Sequence, residues 1–250
     1  MGEIISVTAG KGGVGKSVTA ANLAAGLHAI GKRVILVDAD AGNASADLIL
    51  GVKDRVVYSM LDVLEGSCTI MKALVRVGEG DSFLLLPGSQ MRSETALIKE
   101  RIAKLLRLFK SKFDAVVVDA GNCPGALSEE ILGMSDEVVF VMTPDALALR
   151  SSTRALRRLR DLKPENTSLL LNRIRTDLIK NGQLPKPEDI IRAAGLPLLG
   201  AILDDDEVLV SVQKGVHIVN VKSLACREFL NSAKRLDGQD VPIVLKGKPQ

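Results

Sequence analysis

Short runs of Val, Ile and Leu, unbroken by polar residues, recur along the chain between longer stretches whose apolar residues return every three or four positions. The first pattern is that of strands buried on both faces, and the second that of helices covering them. Strands are predicted at 4–9, 33–38, 83–86, 115–119, 137–143, 168–172 and 198–202, and helices at 16–30, 59–65, 93–112, 127–134, 147–162, 187–194 and 223–236. Such alternation builds a doubly wound α/β fold, a mostly parallel sheet with helices on both faces. No internal repeat, low-complexity tract or long linker interrupts it. A single domain over 1–250 is expected, closing in a tail at 239–250.

Composition narrows the class. With 250 residues, 46% of them hydrophobic and 25% charged, the chain can bury a sizeable core. A formal net charge of +3 demands neither a nucleic acid nor an acidic membrane as partner. The three cysteines, Cys68, Cys123 and Cys226, are odd in number and far apart, which argues against a disulfide framework and against C-x-x-C metal ligation. A reducing compartment follows. No basic segment leads into an apolar signal core, and no run of about 18 apolar residues appears, so a cytoplasmic protein is expected.

Ligands of doubly wound sheets bind at the carboxyl ends of the strands. After the first predicted strand stands Gly10-Lys11-Gly12-Gly13-Val14-Gly15-Lys16-Ser17, which fits G-x-x-x-x-G-K-[ST]. Glycines permit positive φ and leave the main-chain NH groups bare toward phosphates, and the helix starting near Lys16 adds its positive end. Lys16 would bridge the β- and γ-phosphates and the Ser17 hydroxyl would ligate Mg²⁺. The pattern arises by chance in a chain this long on the order of one time in a hundred, and its place between a β run and an alanine-rich helix makes a simple glycine turn a poor explanation. Asp119 ends the run Ala115-Val116-Val117-Val118, a hydrophobic strand plus acid suited to holding Mg²⁺ through water. Asp38 and Asp40 follow the second strand, where capping a helix is the alternative role. Asn172 and Arg173 follow the sixth, where a turn-forming Asn is the alternative.

Lys11, preceding Lys16 within the loop, makes the segment resemble the deviant Walker motif of the MinD/ParA family of P-loop ATPases, to which the nitrogenase iron protein also belongs. The resemblance runs over nearly the whole chain. Leu61-Asp62-Val63-Leu64-Glu65-Gly66, Leu85-Leu86-Pro87-Gly88-Ser89-Gln90, Leu196-Pro197-Leu198-Leu199-Gly200 and Asp206-Glu207-Val208 are similar to the MinD branch, which places the bacterial division site. ParA-type DNA-segregation and FlhG-type flagellar-number ATPases are the neighbouring alternatives.

The resemblance implies a nitrogenase iron protein-like fold and an ATPase using ATP and Mg²⁺. Catalysis would fall to Lys11, reaching the phosphates of a partner's ATP, to Lys16, and to Asp40, orienting the attacking water. The nucleotide would be held by Gly10, Lys11, Gly12, Gly13, Val14, Gly15, Lys16, Ser17, Val18, Asn172 and Arg173, with Asn172 reading the adenine edge. Mg²⁺ would be held by Ser17, Asp119 and, further out, Asp38. Implied partners are a second copy joined through ATP and division regulators similar to MinC and MinE. The sequence departs from the MinD pattern at Ala44 and Ser45, where that branch carries Arg-Asn. It departs again in Asp119-Ala120-Gly121-Asn122-Cys123-Pro124-Gly125, and at Ser151, where an acid is usual. These changes bear on partner identity and hydrolysis rate more than on ATP binding.

The branch also carries a basic amphipathic C-terminal helix, which would place the protein peripherally at the inner face of the cell membrane. The tail here contains Pro242, Gly247 and Pro249 and encodes no such helix, so a membrane role would need a segment this sequence lacks. Arg150, Arg154, Arg157 and Arg158 recur at helical spacing, with Leu149, Leu156, Leu159 and Leu162 toward the core. A solvated basic face is the first reading of that pattern, with DNA or an acidic partner as the alternatives.

Overall fold

Valine, isoleucine and leucine are stiff or bulky at the positions where they cluster, and they favour the extended chain when both faces are covered. The computed structural model describes residues 2–91 and 96–243. Strand β1 (Glu3–Ala9) leads into α1 (Lys16–Ala29), then β2 (Val34–Asp38), followed by the short helices α2 (Ala46–Ile49), α3 (Met60–Glu65) and α4 (Ile70–Ala73). The edge strand β3 (Val75–Arg76) and β4 (Phe83–Leu86) precede α5 (Ala96–Lys110) and β5 (Ala115–Asn122). Then come α6 (Ala126–Leu132), β6 (Glu137–Met142), α7 (Ala146–Leu162), β7 (Asn166–Ile174), α8 (Thr176–Lys180) and α9 (Pro187–Ala194). Strand β8 (Leu198–Leu203), α10 (Asp206–Gln213) and α11 (Leu224–Leu236) complete the chain.

The eight strands form one sheet in the order β3-β4-β2-β5-β1-β6-β7-β8. All neighbours are parallel except β3, which runs antiparallel to β4. From β1 the sheet grows one way through β5 and β2 and the other way through β6, so the loop after β1 lies at the reversal of strand order, where a ligand crevice opens.

Alternate residues of each strand enter opposite cores, as the two-residue pleat requires. Ile4, Val116 and Val118 face α3, α5, α6, α7 and α9, whereas Ile5, Ala115 and Val117 face α1, α2 and α11. Helix α1 is buried almost all round, and its alanines allow close approach to α11: a Cβ on Gly26 would stand 2.8 Å from that of Ala233. Phe140 is fully enclosed, and truncating it to alanine would cost about 3–5 kcal/mol.

The seven predicted strands and seven predicted helices are all present, those at 83–86 and 187–194 with the predicted bounds and the others with shifted ends. Residues 93–95 of the predicted fifth-strand-preceding helix, and 244–250 of the predicted tail, lie outside the described residues. Strand β5 continues three residues past Asp119 because Ala9 still pairs with Asn122 across a bulge. Helices α2, α4, α8 and α10, of four to eight residues, and the two-residue β3 were not anticipated. Helices α2, α4 and α8 and strand β3 are too short to carry a periodic signal. Within the tail, Val241 and Pro242 offer their carbonyls to the Arg235 guanidinium at 2.7 and 2.8 Å. No helix among the described residues is long and apolar enough to cross a membrane.

Candidate functional site

The loop after β1 turns into α1 at Gly15, whose φ of 93° is open to glycine alone without strain. No side chain caps the helix, so the first NH groups of α1 are left for an anion. A Cβ on Gly10 would lie 2.6 Å from the Cα of Ser152, so the loop rests directly on α7. Beside Gly12 and Gly13 a Cβ would meet nothing within 4 Å, which marks the open mouth of the cradle.

Lys16 is buried and places Nζ 3.1 Å from Oδ2 of Asp40. Asp40 in turn accepts from Asn43 Nδ2 at 3.3 Å. Asp38, in register with Asp119 across β2 and β5, accepts from the NH groups of Ser45 and Ala46 at 2.9 and 3.0 Å and of Asp40 at 3.2 Å. The helix-capping role therefore describes Asp38 here, and any part in a metal's outer shell falls to its remaining lone pairs. Asp119 has no exposed surface, and its Oδ2 has no hydrogen-bond partner among the described residues. Burial pushes the Asp119 carboxyl above its ordinary value, against the pull of Lys16 and Ser17. Burial and the Asp119 charge push Asp38 up as well.

Lys16 thus pairs with Asp40 and draws on Asp119, Asp38 stands beside Asp119, and one carboxylate oxygen lacks a donor. Excess negative charge and hard oxygen donors beside the Ser17 hydroxyl suit a divalent cation such as Mg²⁺. No group of three or more His, Cys, Asp or Glu able to hold a metal occurs among the described residues.

Lys11 is placed apart from this cluster. Its Nζ lies 3.6 Å from Oδ1 of Asp145, with both side chains half-buried. Asp145 also caps α7, accepting from the Ala148 NH at 2.7 Å, and takes the Thr143 hydroxyl at 2.5 Å. Burial alone would raise the Asp145 carboxyl, yet Thr143, Ala148 and Lys11 together hold it below its ordinary value. Sequence reasoning assigned Asp145 no role. Its signal was an Asp just before a helical pattern, which reads as an N-cap and carries no hint of a lysine more than a hundred residues away.

Val18, Asn172 and Arg173 do meet, around a cavity of about 350 Å³. Further wall comes from Asp204, Asp205, Asp206, Val208, Leu209 and Val212, at the end of β8 and on α10, which the sequence reading gave no part in the site. Asn172 is buried and donates from Nδ2 to the Val14 carbonyl at 2.8 Å, so one of its two amide hydrogens is already taken. Arg173 adopts φ 55°, inside the irregularity where the pairing of β7 with β8 shifts register between Leu171 and Ile174.

On α7, Arg150, Arg154 and Arg157 are exposed, whereas Arg158 pairs with Glu129 at 2.7 Å. Cys123 is buried and its thiol is pushed up to about 11 by burial, then by Glu129. That describes an unreactive side chain. His28 and His217 flank the ring of Phe83 at 5.5 and 6.5 Å, a structural use of both.

Comparison with known proteins agrees with this geometry. A family of AAA domains, AAA_31, matches residues 2–171. The septum site-determining protein MinD of Synechocystis sp. is 38% identical over 249 residues, covering 98% of this chain and 92% of that protein. Among solved structures, the MinC:MinD cell division protein complex of Aquifex aeolicus has a chain 30% identical, with a TM-score of 0.86, covering 96% of this chain and 98% of that one. MinD of Pyrococcus horikoshii, solved with Mg-ADP, is 25% identical, with a TM-score of 0.82, covering 95% and 96%.

Proposed function

We propose, from the premise that this chain belongs to the MinD family of P-loop ATPases, that it is an ATP-dependent dimerisation switch in division-site placement. ATP joins two copies face to face, the pair recruits regulators similar to MinC and MinE, and slow hydrolysis to ADP and phosphate separates it.

The observation that carries this reading is the gathering of Lys16, Ser17, Asp40 and an unpartnered Asp119 oxygen beneath an uncapped helix N-terminus. Bare NH groups of Gly12 to Ser17 would take the phosphates, and Lys16 would exchange Asp40 for their charge. Asp40, once released, would stand free to orient the attacking water. Ser17 and Asp119 would hold Mg²⁺, with Asp38 beyond them. When bound, Mg²⁺ supplies positive charge against the developing charge on the phosphates. Lys11, lying at the mouth, would leave Asp145 to serve the nucleotide of the second copy. The cavity at Asn172 and Arg173 would receive adenine. Asn172 suits that base, and the Asn-Lys-x-Asp arrangement of guanine sites is absent from the sequence.

Support for the partner comes from the likeness to a chain solved in a MinC:MinD complex. The exposed Arg150, Arg154 and Arg157 keep a DNA-segregation role as the second reading. Size-exclusion chromatography with light scattering tests the first: Mg·ATP should convert monomer to dimer, and Lys11→Ala should remain monomeric. Equal masses with and without Mg·ATP would remove the switch. Steeply salt-dependent binding of duplex DNA through the α7 arginines would favour the second reading.

A further inference from the structure

Far from the nucleotide loop, the edge of the sheet carries a larger cavity of about 830 Å³. Its floor is Leu84 of β4 with Phe109 and Phe113 at the end of α5, and its lips are Met71 and Leu74 beside α4 and Leu108 of α5. None of these residues belongs to the nucleotide site. Met71 is 79% exposed and Leu108 44%, although both stand over an apolar floor. Exposed apolar lips around such a floor mark a contact surface more than an enclosed ligand pocket, and methionine adapts well to a partner.

The charge around the groove is one-sided. Four basic side chains line it against one acid, Asp81. Arg33 is paired with Asp114 and Arg76 with Asp81. Arg55 donates only to the Arg76 carbonyl at 3.4 Å, and neither Arg55 nor Lys112 has a carboxylate partner among the described residues. The groove also lies in the layer that α3, α5, α6, α7 and α9 fill elsewhere on this face of the sheet. Between α4 and the end of α5 that layer is left open, with Leu84 half-buried.

We infer that this groove between α4 and the end of α5 docks an acidic amphipathic helix of a partner protein. Its apolar stripe would lie on Leu84, Leu108 and Met71, and its carboxylates would face Arg55 and Lys112. Continuation of the helical layer argues for a helix, and the two unpaired cations argue for acid on its flanks.

Three synthetic peptides of about 15 residues test this against the full chain by fluorescence anisotropy. One has leucines at i, i+4, i+7 and i+11 with glutamates on the flanks, one has lysines in place of the glutamates, and one scatters the leucines off the stripe. The acidic striped peptide should bind at least about tenfold more tightly than either control and weaken as salt rises. Arg55→Glu combined with Lys112→Glu, and separately Met71→Asp, should each weaken it by about tenfold with an unchanged melting temperature and unchanged Mg·ATP affinity. Equal binding of the three peptides, no binding of the acidic one, or undiminished binding by both variants would overturn the inference. Sedimentation with vesicles of anionic phospholipid that needs Arg55 and Lys112, while the acidic peptide stays free, would assign the groove to a lipid surface and overturn it too.

Discussion

Gly15→Ala probes the joint between the phosphate loop and the strand that carries Asn172. The new Cβ would stand 2.3 Å from Asn172 Nδ2, in a residue whose φ is 93°. The left-handed backbone costs alanine about 1–2 kcal/mol. Pushing Asn172 away breaks its bond to the Val14 carbonyl and strands a buried amide, for about 1–3 kcal/mol more. Stiffening the unfolded chain returns about 0.4–1 kcal/mol. The net loss is roughly 1–4.6 kcal/mol, or about 2–18 °C in melting temperature for a domain of this size. Calorimetric melting of the nucleotide-free protein measures it. In an Asn172→Ala background the steric part disappears, so Gly15→Ala should cost about 1–3 kcal/mol less there. A melting temperature within about 2 °C of wild type, or equal losses in the two backgrounds, would refute the reasoning.

Gly12→Ala meets nothing in the nucleotide-free fold, so its melting temperature should stay within about 2 °C. Its Mg·ATP affinity by calorimetry should fall about tenfold or more, and normal affinity would show that phosphate does not occupy that space. Asp119 is held above its ordinary carboxyl value by burial. As pH rises past that ordinary value the unfolded chain sheds a proton the folded chain keeps, so this group's contribution to stability falls through the window up to its raised value. Asp119→Asn should therefore melt higher than wild type by a margin that grows as pH rises above the ordinary carboxylate range, and Asp38, which the Asp119 charge pushes up, adds to that margin with the same sign. The paired comparison cancels His217, whose value is lowered by burial and acts with the opposite sign, and a constant margin would count against a buried proton at Asp119. Asp145→Ala removes the α7 cap, lowering stability by about 1 kcal/mol. It also frees Lys11, so light scattering should find Mg·ATP-driven association at lower protein concentration, and unchanged association would exclude competition between Asp145 and nucleotide for Lys11.

What could be read from residues alone was whatever is written locally. The run Ala115 to Val118 announces a buried strand because each residue's neighbours in sequence are also its neighbours in the sheet. The loop Gly10 to Ser17 announces a phosphate cradle because eight consecutive residues make it, and Pro187 to Ala194 was legible to the residue from its first-turn proline and closing glycine. The two-residue β3 and the helices α2, α4 and α8 carried too few turns for a period to emerge. They hold their shape through the packing around them, such as the Asp38 carboxylate that caps α2 from the preceding strand.

Tertiary structure alone decided who meets whom. Lys11 with Asp145, Lys16 with Asp40, and Asn172 with the Val14 carbonyl join residues from 24 to 158 positions apart. The wall that α10 adds to the cavity, and the basic-rimmed groove between α4 and α5, likewise come from the order in which strands lie side by side. A one-dimensional pattern records which face of an element is apolar, because that periodicity repeats every few residues. It holds no record of the partner across the sheet, because the contact energy depends on distance in space, and that distance is set only when the crossovers close.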